Sequence, residues 1–283
     1  MRVKRLACEL PAEYGLPFSR FSAQDIATEA IERGIVASIS DATVWRWLDA
    51  DAIRPWRHRS WIFPRDPHFE IKAGRVLDLY HGIWQGLPLG RDDFVLSADE
   101  KSSIQARCRA HPTYGPRARA PMLVEHEYAR AGALVYLAAW DVRRAQLYGR
   151  CEPRNGIVAF DRLVADVMTK EPYASARRVF WVVDNGTSHR GDKAARRLAN
   201  RWPNLILVHL PIHASWLNQV EIYFSILQRK VLTPNDFDSL FTLEDRILAF
   251  QERYQENARP FQWKFTREDL SRLLAKLDLQ EAA

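Results

Sequence analysis

Three carboxylates stand where a folded chain could gather them. Asp99 ends the apolar stretch of "DFVLSADEKSSI", Asp184 ends the Val-rich stretch of "RRVFWVVDNGTSHR", and Glu221 lies in "LPIHASWLNQVEIYFSILQRKVL". Within about 4 to 6 Å of one another they would repel by several kcal/mol even at an effective dielectric near 20, and at least one would be driven towards protonation. A divalent, oxygen-loving cation removes that cost. Mg²⁺ or Mn²⁺ held by a few carboxylates plus a substrate phosphate is the usual arrangement, and two such ions about 3.5 to 4 Å apart can activate an attacking oxygen and stabilise a leaving one. The chemistry these residue types suggest is metal-assisted phosphoryl transfer.

The elements that must position them can be read from periodicity. Residues 94 to 99 read as a strand ending at the carboxylate, followed by a cationic loop over 101 to 120 that carries Lys101, Arg107, Arg109, Arg117 and Arg119 and no acid. "GALVYLAAWDVRRAQLYGRC" reads as two strands joined by a turn around Asp141 to Arg144. A helix over 156 to 169 precedes the strand that runs into Asp184, and Asn185-Gly186 is a turn signal. "GDKAARRLANRW" is a helix, "NLILVHL" a strand, 217 to 232 a helix, and further helices over 243 to 257 and 267 to 277 finish the chain. This order predicts an α/β fold, a mixed sheet covered by helices on both faces, with ligands at the C-terminal edges of its strands.

On the helix of 217 to 232, Val220, Ile222, Tyr223, Phe224, Ile226, Leu227 and Val231 cover roughly 200° of the circumference, which leaves Glu221 on a polar strip with Ser225, Gln228 and Arg229. Periodicity alone allows that strip to face either water or a site. Glu100 adjoins Asp99 but should point to the opposite face of its strand.

Before residue 64 the chain reads as helices. "SAQDIATEAIERG" places Ile26, Ala27, Ala30 and Ile31 at core spacing and ends at Gly34, while "ISDATVWRWLDADAI" offers Ser40 as N-cap and sets Val44, Trp47 and Leu48 on one face. Two short helices around a tight turn are a helix-turn-helix candidate, in which Thr43 and Arg46 would point outward towards a major groove. The stretch 54 to 65 adds Arg54, Arg57, Arg59 and Arg65 with Trp56 and Trp61 interleaved, a composition suited to phosphate contact and stacking and equally to an interdomain strap. The expected organisation is a helix-turn-helix region over 1–63, a linker over 64–90, the catalytic domain over 91–235, and C-terminal helices over 236–283 packed on it.

Composition narrows the partners. A formal charge of +6 on 283 residues favours an acidic partner, and no apolar run approaches 18 residues, so nucleic acid is expected rather than a membrane. No signal-peptide pattern opens the chain, which predicts a cytoplasmic protein. Cys8, Cys108 and Cys151 are odd in number and widely spaced, fitting neither a disulfide framework nor a zinc site.

"SADEKSSIQ", "VVDNGTSH" and "LPIHASWLNQVEIYFSILQRKVL" resemble the three catalytic blocks of the DDE transposases of the Tc/mariner superfamily, in particular the bacterial insertion-sequence family numbered six-thirty. The 36 residues between Asp184 and Glu221 fit that family's spacing. The resemblance implies an RNase H-like catalytic fold with Asp99, Asp184 and Glu221 as ligands of Mg²⁺, for which Mn²⁺ can substitute, and supporting roles for Asn185, His189 and Asn218. It implies double-stranded DNA as partner: terminal inverted repeats cut at the element's ends, a TA target, and a homodimer that pairs two ends, nucleoid-associated when bound to DNA. Family members usually carry two helix-turn-helix units, and this chain has room for the second alone, so the resemblance also implies an N-terminally shortened chain. Two other readings compete: a DNA-binding remnant or repressor without catalysis, and an RNase H-like nuclease acting on RNA–DNA hybrids.

Overall fold

The computed structural model describes residues 2–57 and 64–281, and the chain divides into two compact units, 1–63 and 64–283. In the first unit, helices α1 (Arg2–Leu6), α2 (Ala23–Glu32) and α3 (Asp41–Ala50) close around Val3, Leu6, Phe21, Ile26, Ala30, Val44 and Leu48. Ser22 caps α2 by accepting from Asp25 N, while the Asp25 carboxylate accepts from Ser22 N. The Ser40 hydroxyl accepts from Thr43 N and caps α3.

Two expectations for this unit change. Ile31 and Trp47, expected inside, are 42% and 43% exposed. Val44 and Leu48, one turn apart, fill the seam alone, and Trp47 lies roughly 80° from its middle at 100° per residue, as does the exposed Trp45 on the opposite side. The connection between α2 and α3 spans residues 33–40 rather than forming a tight turn. Arg59 and Trp61 lie outside the described residues.

The second unit is built on a five-stranded sheet in the order β5-β4-β3-β6-β7, with β3 (Asp93–Cys108), β4 (Ala129–Asp141), β5 (Leu147–Glu152), β6 (Arg178–Val183) and β7 (Leu205–His209). β4 pairs antiparallel with both β3 and β5, whereas β6 pairs parallel with β3 and β7. Strand alternation divides the buried residues between two faces. Leu96, Ala98, Leu137, Val179, Trp181 and Val183 pack under α5 (Ile157–Met168) and α6 (Gly191–Arg201). Val95, Tyr136, Ala138, Trp140, Phe180 and Val182 pack on the other side, under α4 (Phe69–Tyr80), α7 (Val220–Lys230), α8 (Leu240–Gln255) and α9 (Arg267–Glu281).

Residues 64–90 are not a bare linker. α4 buries Phe69, Ala73, Val76, Leu77 and Leu79 in the second unit's core, and a short hairpin of β1 (Ile83–Trp84) and β2 (Leu87–Pro88) follows it. Asp66 anchors the start of α4: its carboxylate accepts from Lys72 Nζ at 2.8 Å, His68 N at 2.9 Å and Ile212 N at 3.0 Å. Burial works against the charge, but these donors outweigh it and hold the carboxyl at about 2.

The first strand also overturns an expectation, because it does not end at Asp99 and 101–108 is not loop. β3 continues to Cys108 through a bulge between Lys101 and Ile104, where Ser103 takes φ +55°. One extra residue there reverses the alternation, so Ile104 and Ala106 bury on the face that Val95 uses before it. The true connection to β4 spans 109–128, with bridges Tyr114–Leu123 and Arg117–Ala120. Among the described residues no helix is long and apolar enough to cross a membrane.

Candidate active site

Strand register brings the first two carboxylates together. Ser97 pairs with Val182 in the parallel ladder, so Asp99, two residues further along β3, and Asp184, one residue past the end of β6, lie at the same end of neighbouring strands, and Asp99 shares the face of Val95 and Ser97. Neighbouring strands run about 4.8 Å apart. Ala138 stands directly opposite Asp99 on β4, and its small side chain leaves room for α7 against that end of the sheet. Val220, Tyr223, Phe224 and Leu227 bury the inner face of α7, and Glu221, in its first turn, stands on the exposed strip.

The charges of the three carboxylates act on one another. Burial pushes the Asp99 carboxyl up to about 8, aided by the charges of Asp184, Glu100 and Glu221 and opposed by the Glu100 backbone N–H. Partial desolvation raises Glu221 too, although it stands on the exposed strip; the Lys101 ammonium works against this and the Asp184 charge adds to it. Asp184 alone is held below the ordinary carboxylate range, first by His189 and then by the Gly186 N–H. A carboxyl favoured in its protonated form when folded costs stability as pH rises from its unfolded value near 4 through its folded value. Asp99→Asn should therefore stabilise the metal-free protein at pH 8 by about 2 kcal/mol and not at pH 4. Thermal unfolding in EDTA at the two pH values checks this, and equal effects at both would contradict it.

Asp99 and Asp184 are held by their surroundings. Asp99, 8% exposed, accepts from Asn218 Nδ2 at 2.9 Å and from Glu100 N at 2.8 Å. Asp184 Oδ1 accepts from Gly186 N at 2.7 Å and from His189 Nε2 at 2.6 Å. His189 is fully buried, with Nδ1 bonded to the Ser188 hydroxyl and its ring against Phe160. Gly186 is needed for close approach, since a Cβ there would stand 2.9 Å from Asp184 Oδ1 and 3.1 Å from the His189 ring. Asn185 turns away from the carboxylates and donates to Leu210 O at 2.8 Å, tying the turn after β6 to the end of β7. Beside Asp184 a cavity of about 420 Å³ is lined by Asn185, Arg190, Ile212, His213 and Ser215.

Glu100 does point to the opposite face. Its Oε1 accepts from Asn155 Nδ2 ahead of α5, while its buried Oε2 finds no protein partner. Among the described residues no three His, Cys, Asp or Glu side chains stand close enough to enclose a metal ion. The chemistry of the three carboxylates nevertheless fits a hard divalent cation: all would offer oxygens, Asp99 is buried, and Asp99 and Glu221 are both raised by burial and by the charge of Asp184.

The basic residues divide by what they touch. Lys101 reaches the electrostatic field of Glu221, and with Arg107 and Arg109 it lines a cavity of about 440 Å³ along the continuation of β3. Arg107 lies over the Tyr128 ring at 4.6 Å, whereas Arg109 is spent on the backbone oxygens of Glu125 and Asn235. Arg197 braces α6 through Asp161 and Ser188 O rather than facing solvent freely. In the first unit Arg46 is exposed and bonds Thr43 Oγ1, Arg54 pairs with Asp49 at 3.8 Å, and Arg57 is exposed.

Sequence reasoning missed Ser97 and Tyr80, and marked Gly186 as a turn without its close approach to Asp184 and His189. The signal for Ser97 was present: Val95, Ser97 and Asp99 alternate onto one face, so a hydroxyl falls at an inward position two residues before the carboxylate.

A family model described as "DDE superfamily endonuclease" matches residues 95–244. No curated protein matches the chain. Among solved structures, the chain is similar to the Mos1 mariner paired-end complex with Mn at TM-score 0.53 and 12% identity, covering 92% of this chain and 72% of that one. It is similar to the Mos1 strand transfer complex at TM-score 0.51 and 12% identity, covering 99% and 74%. At this identity the likeness is one of fold: a mixed α/β architecture of the RNase H-like type, with the three carboxylates inside the matched region.

Proposed function

This chain belongs to the DDE superfamily of endonucleases, and on that premise we propose that it is a transposase of the Tc/mariner type, nearest the insertion-sequence family six-thirty. The observation that carries the reading is the juxtaposition of Asp99 and Asp184 by parallel register, with Glu221 close enough for its charge to act on Asp99. The proposed reactions are cleavage of a phosphodiester at the element's end and attack of the freed 3′-hydroxyl on target DNA, for which a TA dinucleotide is the proposed site. Two ends would be paired by a homodimer.

In this reading Asp99, Asp184 and Glu221 would hold Mg²⁺, or Mn²⁺ in its place; when bound, the cation supplies activation of the attacking oxygen and charge stabilisation of the leaving one. Everything else falls to the chain. Asn218 and the Glu100 N–H orient Asp99, while His189 and the Gly186 N–H orient Asp184 and keep it ionised. Rigid placement of this kind lowers the barrier by positioning and fixed charge, with no covalent protein intermediate. Lys101 and Arg107 in the cavity along β3, with Arg190, Lys193, Arg196 and Arg201 on and before α6, would hold DNA phosphates. The first unit, with Arg46 between exposed Trp45 and Trp47, would read duplex DNA as a helix-turn-helix module, with Thr43, Arg54 and Arg57 beside it.

The test is nicking of supercoiled plasmid by the whole chain in Mg²⁺, in Mn²⁺ and in EDTA, with an RNA–DNA hybrid assayed in parallel. Metal-dependent nicking of the plasmid supports the proposal. Site-specific DNA binding without strand breakage would replace it with the remnant or repressor reading, and preferential cutting of the hybrid with a nuclease of the other kind.

A further inference from the structure

Ser97 has no place in the reading above, yet it stands at the junction of the two elements that carry Asp99 and Glu221. It is fully buried, on the face of β3 that packs under α7. The Val220 N–H at the start of α7 donates into its hydroxyl oxygen at 2.9 Å. With that lone pair engaged, the hydroxyl proton is directed at Asn218 Oδ1, to which Ser97 donates a hydrogen bond. The Asn218 amide, 1% exposed, thereby has its oxygen committed to Ser97, and its Nδ2 donates to Ala98 O at 3.0 Å and to Asp99 Oδ2 at 2.9 Å. Tyr80 Oη donates to Leu217 O at 2.8 Å and fixes the backbone turn that delivers Asn218.

A side-chain amide has two ends of nearly identical shape and opposite hydrogen-bonding character. Rotated by 180°, Asn218 would place its oxygen against Ala98 O and the Asp99 carboxylate, and its NH₂ against Ser97. Ala98 O can only accept, and so can Asp99 once it is ionised, so they favour the observed orientation. Ser97 adds the one donor that holds the opposite end and, through Val220, binds that end to the helix of Glu221.

We propose that Ser97 is a positioning residue: its hydroxyl, pinned by the Val220 N–H, locks the Asn218 amide in the orientation that donates to Asp99 and so sets that carboxylate for the cation the triad would hold. This rests on the metal-held triad of the proposed function. Asn218 is the partner one bond beyond the ligand, the kind whose removal typically weakens metal affinity about 10- to 100-fold; Ser97 stands one bond further out and acts through it, so that loss is the upper limit for Ser97→Ala.

The experiment is a Mn²⁺ titration of the whole chain, followed by the electron paramagnetic resonance signal of free Mn²⁺ up to millimolar concentration, which reads binding without any catalysis. Wild type, Asp184→Asn, Ser97→Ala, Asn218→Ala and the double variant Ser97→Ala/Asn218→Ala are compared at equal folded fraction, checked by circular dichroism. Ser97→Cys, close to serine in volume and a weak donor, stands in should Ser97→Ala fail to fold. The expected result is Asp184-dependent binding by wild type, a dissociation constant about 10- to 100-fold weaker for Asn218→Ala, a severalfold weaker one, no greater than that of Asn218→Ala, for Ser97→Ala, and less than about a twofold further change when Ser97→Ala is added to Asn218→Ala. Wild-type affinity in both Ser97 variants overturns the proposal, and so does an equal, additive loss in the Asn218→Ala background, which would show Ser97 acting independently of the amide. If wild type shows no Asp184-dependent binding, the metal-held triad itself falls and this inference falls with it.

Discussion

Asp184→Asn leaves the chain folded and able to bind duplex DNA, yet lowers metal-dependent nicking of supercoiled plasmid by about 10³-fold or more. The substitution keeps the shape of the side chain and one carbonyl oxygen, so the Gly186 N–H and His189 Nε2, which both meet Oδ1, retain an acceptor. The Asp184 side chain is 41% exposed, so its replacement leaves no buried charge unpaired. What disappears is the negative charge aligned with Asp99 by the parallel register of β3 and β6. Asp99 then loses the strongest of the neighbouring charges that raise it, and the cation loses a ligand. A variant with wild-type nicking sinks the assignment of Asp184, and loss of nicking together with loss of fold would point to a structural role instead. Fluorescence anisotropy on a duplex and circular dichroism separate these outcomes.

The sheet was legible because its strands are short apolar runs that stop at turn signals, and the family blocks supplied Asp99, Asp184 and Glu221 by resemblance. Parallel register then aligns the first two without any long-range information beyond strand order. The bulge after Lys101 was not legible: "KSSIQARC" breaks the period of two at Ser102 and Ser103, and only the pairing with β4 shows that the strand resumes on the other parity. α4 escaped for a related reason. Gly74 in its middle reads as a helix breaker, yet α4 runs through it, with the Arg267 guanidinium lying over the glycine, where a Cβ would stand 2.7 Å from Nη2. Arg109 and Arg197 show the limit of charge reading, since sequence marks them as cations and the structure uses them as braces. Trp47 shows the same limit for hydrophobicity: an apolar residue at core spacing stays outside where a narrow helical seam is already filled.

Asp93→Asn should cost about 2–4 kcal/mol of stability at pH 7 and lower the unfolding midpoint by roughly 5–10 °C. Asp93 opens β3 with a fully buried carboxylate that receives five donors: Arg177 Nε and Nη2 at 3.0 and 2.7 Å, Arg178 Nε and Nη2 at 3.0 and 2.8 Å, and Gly90 N at 2.8 Å. Asparagine matches its shape but brings no charge and only one accepting oxygen. The lower part of the range for removing one partner of a buried ion pair applies, because Arg177 is 62% exposed and can turn to water. The Arg178 guanidinium, then Arg177, hold this carboxyl well below the ordinary range despite burial. Its stabilisation is therefore fully present above the unfolded value near 4 and is lost as pH falls through the lower folded value, so the gap between wild type and variant should shrink steadily below about pH 4. Thermal melts at pH 7, 5 and 3 check both statements, and a midpoint within 1 °C of wild type at pH 7 contradicts the first. Asp93 pairs with Arg178 in the ladder that, six residues along β3 and about 20 Å away, sets Asp99 beside Asp184. A one-residue slip between these strands would shift the carboxylates by about 3.3 Å and turn one of them to the other face. The clamp at one end of the sheet thus holds the register that the other end needs. Five consecutive ladder pairs hold it as well, so below its melting range Asp93→Asn should still nick plasmid, and a loss of nicking in the folded variant would mean that the ladder alone does not fix the register.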